Sequence, residues 1–126
     1  MSDWRQLSRE AGYGITDNEL VVTFSDGRQH RLTVEERPGS KDLRLWAVAA
    51  RRAMLPDEPE GSHIHAWNRN RSSDLVGFKI DGRGRLVGEA WVPLAGLTAE
   101  EWAHYVSAVA RACDRVEYLL SGRDEL

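Results

Sequence analysis

The segment from Leu97 to Gly122 constrains the fold more than any other. Thr98-Ala99-Glu100-Glu101 has the spacing of a capping box, with Thr98 at the N-cap and Glu101 at the third helical position. Leu97 and Trp102 occupy the positions of a hydrophobic staple, and Glu100 and Glu101 put negative charge in the first turn, where the helix dipole favours it. Apolar residues then recur at steps of three and four: Trp102, Tyr105, Val106, Val109, Ala112, Cys113, Val116, Leu119 and Leu120. Gly122 follows as a helix stop. A helix over residues 99–121 is roughly 34 Å long, long enough to cross a whole small sheet with one greasy stripe. The chain must therefore supply a sheet face for that stripe to cover.

Two hairpins supply it. Leu20, Val22 and Phe24 alternate along one strand, Ser25-Asp26-Gly27 turns, and His30, Leu32 and Val34 continue on the return. Val76, Phe78 and Ile80 alternate along another. Asp81-Gly82-Arg83-Gly84 turns, and residues 86–92 return, with Pro93 ending the ladder. Residues 43–50 have both a period-2 and a helical reading. The strand reading puts Leu43, Leu45, Ala47 and Ala49 on one face and Trp46 and Val48 on the other, and it gives the first hairpin a third strand. A short helix over residues 3–11, capped by Ser2 or Asp3, puts Trp4, Leu7 and Ala11 on one face and stops at Gly12. A second short helix is expected over residues 60–70, with Ile64 and Trp67 inward. The order α-β-β-β-α-β-β-α, in a chain of 126 residues, predicts one α+β domain over residues 1–126: two layers, with a five-stranded antiparallel sheet.

Composition removes several functions. Hydrophobic residues are 41% and charged residues 29%, a globular balance. The net charge of −3, from 20 acids and 17 bases, lacks the basic excess of a nucleic-acid binder. No stretch approaches a membrane span of roughly 20 apolar residues. The single cysteine, Cys113, excludes an internal disulfide and suits a reducing cytosol, and the polar N-terminus lacks a signal peptide's apolar run, so the expectation is a cytoplasmic protein.

The candidate chemical groups are few. His63 and His65 could share a metal on a strand, but on a helix they point about 200° apart, and with His30 and His104 they have no common ligand spacing. A phosphate loop needs a helix after its glycines, whereas a strand follows Gly84. Glu100 and Glu101 are adjacent on a helix and act as first-turn charge rather than as an acid–base pair. Cys113 lies on the apolar stripe, away from Arg111 and Arg115, as a buried inert thiol does. Arginine greatly outnumbers lysine, which suits either compositional bias or a face that binds carboxylate or phosphate. Trp46 and Trp91 fall on the less apolar face of their strands, where they either lie covered or anchor a partner.

The element order resembles that of the YbjN family, whose fold is that of type III secretion chaperones. Trp67-Asn68-Arg69-Asn70 resembles the end of the family's middle helix. Residues 77–92 resemble its Asp-Gly hairpin, and Val92-Pro93-Leu94-Ala95-Gly96-Leu97-Thr98 its link from last strand to last helix. The match spans residues 4–120. The resemblance implies a non-enzymatic, chaperone-like or adaptor protein without cofactor or metal, binding no nucleic acid and no membrane. It also implies a homodimer whose middle helix and following strand make the contact, with Ile64, Trp67, Leu75 and Phe78 as interface residues. The partner is then an unidentified protein segment, taken up by Trp46 and Trp91. A small metal-binding or ligand-sensing regulatory protein using His63 and His65 is the alternative.

Overall fold

The computed structural model describes residues 3–37, 39–51 and 75–121. The helix expected over residues 60–70, with His63, His65, Ile64 and Trp67, lies outside the described residues.

Helix α1 (Trp4–Ala11) begins where Asp3 accepts a hydrogen bond from the Arg5 backbone N–H. It ends at Gly12, whose φ of 86° lets it turn in the left-handed region. Helix α2 (Ala99–Ser121) starts at the expected cap. The Thr98 hydroxyl accepts from the Glu101 N–H and donates to the Glu101 carboxylate, both at 3.1 Å, so the box closes side chain to side chain.

Between the helices run β1 (Gly14–Thr16), β2 (Glu19–Thr23), β3 (Gln29–Glu36), β4 (Asp42–Ala50), β5 (Gly77–Ile80) and β6 (Leu86–Pro93). They form one antiparallel sheet in the order β1-β2-β3-β4-β6-β5. The described sheet thus has six strands, not five, and the described order is α-β-β-β-β-β-β-α. The additional strand is β1, joined to β2 by the two-residue turn Asp17-Asn18. Three residues are too few to display alternation. The signal was the turn itself, where Asp17 takes a positive φ of 52° as the favoured hairpin turns require.

Residues 42–50 form a strand, as the period-2 reading expected. The helical reading fails because β4 is flanked by β3 and β6, with one face toward α2. Leu43, Leu45, Ala47 and Ala49 are buried on that face. Trp102, Val106, Val109, Cys113 and Val116 meet them from α2 and are at most 1% exposed. α1 packs beside α2, and the Trp4 and Trp102 rings lie 6.4 Å apart. Ser8 links the two helices. Its hydroxyl donates to the Trp4 carbonyl and accepts from Trp102 Nε1, both at 2.7 Å, in full burial. Gly88 of β6 lies directly beneath the Cys113 thiol, where any Cβ would collide. No helix among the described residues is long and apolar enough to cross a membrane.

Candidate functional site: the sheet face away from the described helices

Strand alternation gives the sheet a second face, directed away from both described helices. Glu35 of β3, Arg44 and Trp46 of β4, Glu89 and Trp91 of β6, and Lys79 of β5 lie on it. Register sets their spacing: Glu35 is opposite Arg44, Arg44 opposite Trp91, and Trp46 opposite Glu89.

The charges on this face largely satisfy one another. Arg44 donates to Glu89 through Nε and to Glu35 at 3.2 Å. Lys79 Nζ is 3.4 Å from the same Glu89 oxygen. The Arg44 and Glu89 side chains are mostly buried, so this band is held in place rather than solvated. Two cations and two carboxylates leave no net charge along it.

The tryptophans sit within this neutral band. Trp46 is half-buried, with the Arg44 guanidinium 5.2 Å and that of Arg85 6.0 Å from its ring centre. Arg85 is itself fixed by Asp81, to which it donates through Nε at 2.8 Å. Asp81 also accepts from the Arg83 and Arg85 backbone N–H groups. Burial pushes the Asp81 carboxyl up, but these hydrogen bonds outweigh it and hold the group below the usual carboxylate range. The Asp81–Gly84 turn is thus closed by an internal anion, which leaves no phosphate cradle there. Trp91 is different: it is 42% exposed, with Arg37 stacked 4.6 Å from its ring centre. Among the described residues Arg37 pairs with no carboxylate. The face therefore presents an aromatic plate and a guanidinium with unused donors.

The other candidate residues are scattered. Leu75 is 38% exposed, whereas Phe78 is buried in the core on the helix side. Cys113 is fully buried, and burial pushes its thiol up to about 12, which removes it as a nucleophile. His30 lies 3.8 Å from Asp114 and 3.6 Å from Glu117, where it ties β3 to α2. His104 is exposed beside Tyr105. Among the described residues no three His, Cys, Asp or Glu side chains could hold a metal ion. Sequence reasoning found Trp46 and Trp91 but missed Arg37, Arg44 and Arg85. Their signal was parity: Arg44 is two residues from Trp46 on the same strand face.

The model of the YbjN family, described as "Putative bacterial sensory transduction regulator", matches residues 5–118. No curated relative matches the chain. Among solved structures, a chain of the HopA1–SchA chaperone–effector complex aligns at TM-score 0.61 with 12% identity, covering 89% of this chain and 88% of that one. A chain of the ExsC–ExsE complex aligns at TM-score 0.61 with 15% identity, covering 91% and 88%. A chain of the complex between the Yersinia pestis type III secretion chaperone SycH and a fragment of YscM2 aligns at TM-score 0.56 with 10% identity, covering 90% and 95%. At these identities the likeness is one of fold.

Proposed function

We propose that this chain, which belongs to the YbjN family, is a non-enzymatic, chaperone-like protein that dimerises and binds a segment of a partner protein on the face of its sheet directed away from the two described helices. The observation that carries the reading is Trp91. A large aromatic side chain 42% exposed on a neutral, internally paired surface gives little to the fold. The same side chain, rigid and amphipathic beside a guanidinium, is the kind of residue that anchors protein interfaces. Trp46 supports it from the neighbouring strand. The fold shared with structures of a chaperone–effector complex and of a type III secretion chaperone with a bound fragment supports a binding role over a catalytic one.

The test replaces Trp91 with a photo-crosslinking phenylalanine analogue in the native cell. A crosslinked partner peptide, lost when the analogue sits at Arg83 in the exposed turn instead, supports the reading. Equal labelling from both positions, or none, ends it.

Dimerisation through Leu75, Phe78, Ile64 and Trp67 is part of the same proposal. Leu75 is exposed and could contribute directly, whereas Phe78 is a core side chain that would support it from below. Light scattering at micromolar concentration is expected to give twice the chain mass of 14.2 kDa. A mass of one chain removes the dimer.

A further inference from the structure

An open groove of about 500 Å³ lies between α1 and the β1 edge, lined by Arg5, Arg9, Tyr13, Ile15 and Asp17. Arg5 and Arg9 are one turn apart on α1. Their Cβ atoms therefore leave the same helix face roughly 5–6 Å apart. Two like charges so placed repel each other and weaken the helix. Arg28, Arg31, Arg44 and Arg85 each have a carboxylate partner, whereas Arg37, like the two arginines of this groove, has none among the described residues. Arg5 and Arg9 pair with none among the described residues.

The contacts these arginines do make leave their donors largely free. The Arg5 guanidinium stacks 4.4 Å from the Trp4 ring centre and reaches the Asp17 backbone carbonyl at 3.4 Å. The Arg9 side chain makes no hydrogen bond or ion pair with the described residues. Tyr13 forms part of the wall, its hydroxyl donating to the Ala103 carbonyl at 3.4 Å. Burial raises the Tyr13 hydroxyl above its ordinary range, and the positive charge of Arg111 on α2 opposes that rise. A third cation thus acts on the same wall. Asp17 contributes the opposing negative charge, at the Arg5 end. The groove is left net positive on a chain whose formal net charge is −3, so an anion is drawn to this site against the overall charge.

We propose that this groove binds an acidic peptide segment, in which two carboxylates separated by one residue meet Arg5 and Arg9. Alternate side chains of an extended segment leave one face roughly 6.6 Å apart, close to the spacing of the two arginines. Each guanidinium presents a fork that matches a carboxylate in two-point contact. Ile15 and the Tyr13 ring add apolar surface to the groove lining beside the two arginines. That the anion arrives on a protein segment, rather than as a free ion, rests on the protein-binding reading above. A free phosphate or dicarboxylate offers the same charge without the spacing.

The experiment measures fluorescence anisotropy of a fluorescein-labelled peptide carrying Glu-Val-Glu, against a Gln-Val-Gln control. The salt is held at about 50 mM, where screening is weak. Arg9→Gln, which breaks no hydrogen bond or ion pair with the described residues, is expected to weaken binding about tenfold, as loss of one charge-assisted contact would. Arg5→Gln is expected to act similarly, with its melting temperature checked because it loses the stacking on Trp4. Trp91→Ala is expected to leave peptide binding unchanged. Equal affinity for the Gln peptide, or indifference to Arg9→Gln, overturns the proposal. So does loss of binding in Trp91→Ala, which would put the peptide on the sheet face. Displacement by millimolar inorganic phosphate, at a charge concentration equal to that of unlabelled peptide, identifies a small-anion site and overturns the peptide occupant. Failure of crosslinking at position 91 with success here removes the sheet-face reading and leaves the groove standing.

Discussion

Gly88 and Cys113 set the distance between the sheet and α2, and replacing the glycine tests that packing directly. An alanine Cβ at position 88 would lie 2.6 Å from Cys113 Sγ, 3.1 Å from Phe78 Cε1 and 3.3 Å from Val76 Cγ1. Non-bonded heavy atoms prefer roughly 3.5–4.0 Å, so the sulfur contact is short by about 1 Å. None of the three neighbours can swing into solvent, because all are at most 5% exposed. The helix or the hairpin must move. Overpacking of this kind costs about 1–3 kcal/mol, and replacing glycine returns about 0.4–1 kcal/mol through the unfolded chain. The clash dominates, and Gly88→Ala is expected to destabilise by about 2 kcal/mol. Cys113→Ala alone removes one buried sulfur and is expected to cost about 1 kcal/mol. In the double variant the new methyl group occupies the space the sulfur vacates. The two changes should therefore couple favourably by at least about 1.5 kcal/mol instead of adding. Urea unfolding followed by circular dichroism, under reducing conditions, gives all four corners of the cycle. A Gly88→Ala protein as stable as the parent, or a strictly additive double variant, refutes the close approach of α2 to β6.

Ser8→Ala should cost about 1–3 kcal/mol, because it leaves the buried Trp102 N–H without its acceptor; an unchanged urea midpoint and unchanged tryptophan emission would show that the bond is not made. Thr98→Ala should cost about 1 kcal/mol through the cap. Val109→Asp, which puts a charge into the fully buried stripe of α2, should unfold the protein at room temperature by circular dichroism. Asp81→Asn should be less stable than the parent at neutral pH. The Asp81 carboxyl is held below its unfolded range, so its contribution is present above the unfolded pKa and disappears as pH falls through the folded one. The gap between the two urea midpoints should therefore close on acidification from pH 7 into the region below about 4, and a constant gap would assign the effect to something other than ionisation.

What could be read from the sequence follows from how strongly burial constrains residue type. The stripe from Trp102 to Val116 and the inward sets on β2, β3, β4 and β6 had to be apolar at fixed periods, so their elements and facing were legible. Ser8 was not, because a buried hydroxyl that serves a tryptophan N–H looks the same in sequence as a solvated serine. Ala110 fell outside the predicted stripe yet is fully buried: its side chain is small enough for α2 to press onto the sheet over a wider arc than the large residues mark out. β1 was missed because pairing with β2 and packing against α1, not its own three-residue pattern, make it a strand. The face away from the described helices was legible only by subtraction. Trp46 and Trp91 stood out as apolar residues at polar parity, but the pairing of Arg44 with Glu35 and Glu89 depends on strand order β3-β4-β6, and β4 and β6 are far apart in the chain.

That pairing bears on how Trp91 should be understood. A sheet face on which neither described helix packs can be kept soluble by scattered charge alone, and long side chains from neighbouring strands would then satisfy one another loosely. Here Arg44 and Glu89 are instead mostly buried, and each is shared between partners, Arg44 between two carboxylates and Glu89 between two cations. Ordering such side chains costs conformational entropy, on the order of 1–2 kcal/mol for an arginine, while exposed pairs return little. The arrangement makes physical sense as a rigid, electrically neutral floor on which Trp46 is wedged between cations and Trp91 stands out. A partner arriving there meets an aromatic surface already held in place, so less of the binding energy is lost to ordering it. Breaking the floor without touching the tryptophans separates the two roles. Arg44→Met keeps the aliphatic body and removes the paired charge, leaving Glu89 to Lys79 alone. If the floor pre-organises Trp91, this variant should stay folded yet lose partner crosslinking from position 91. If crosslinking persists at parental yield, the ionic band serves solubility only and Trp91 acts by itself.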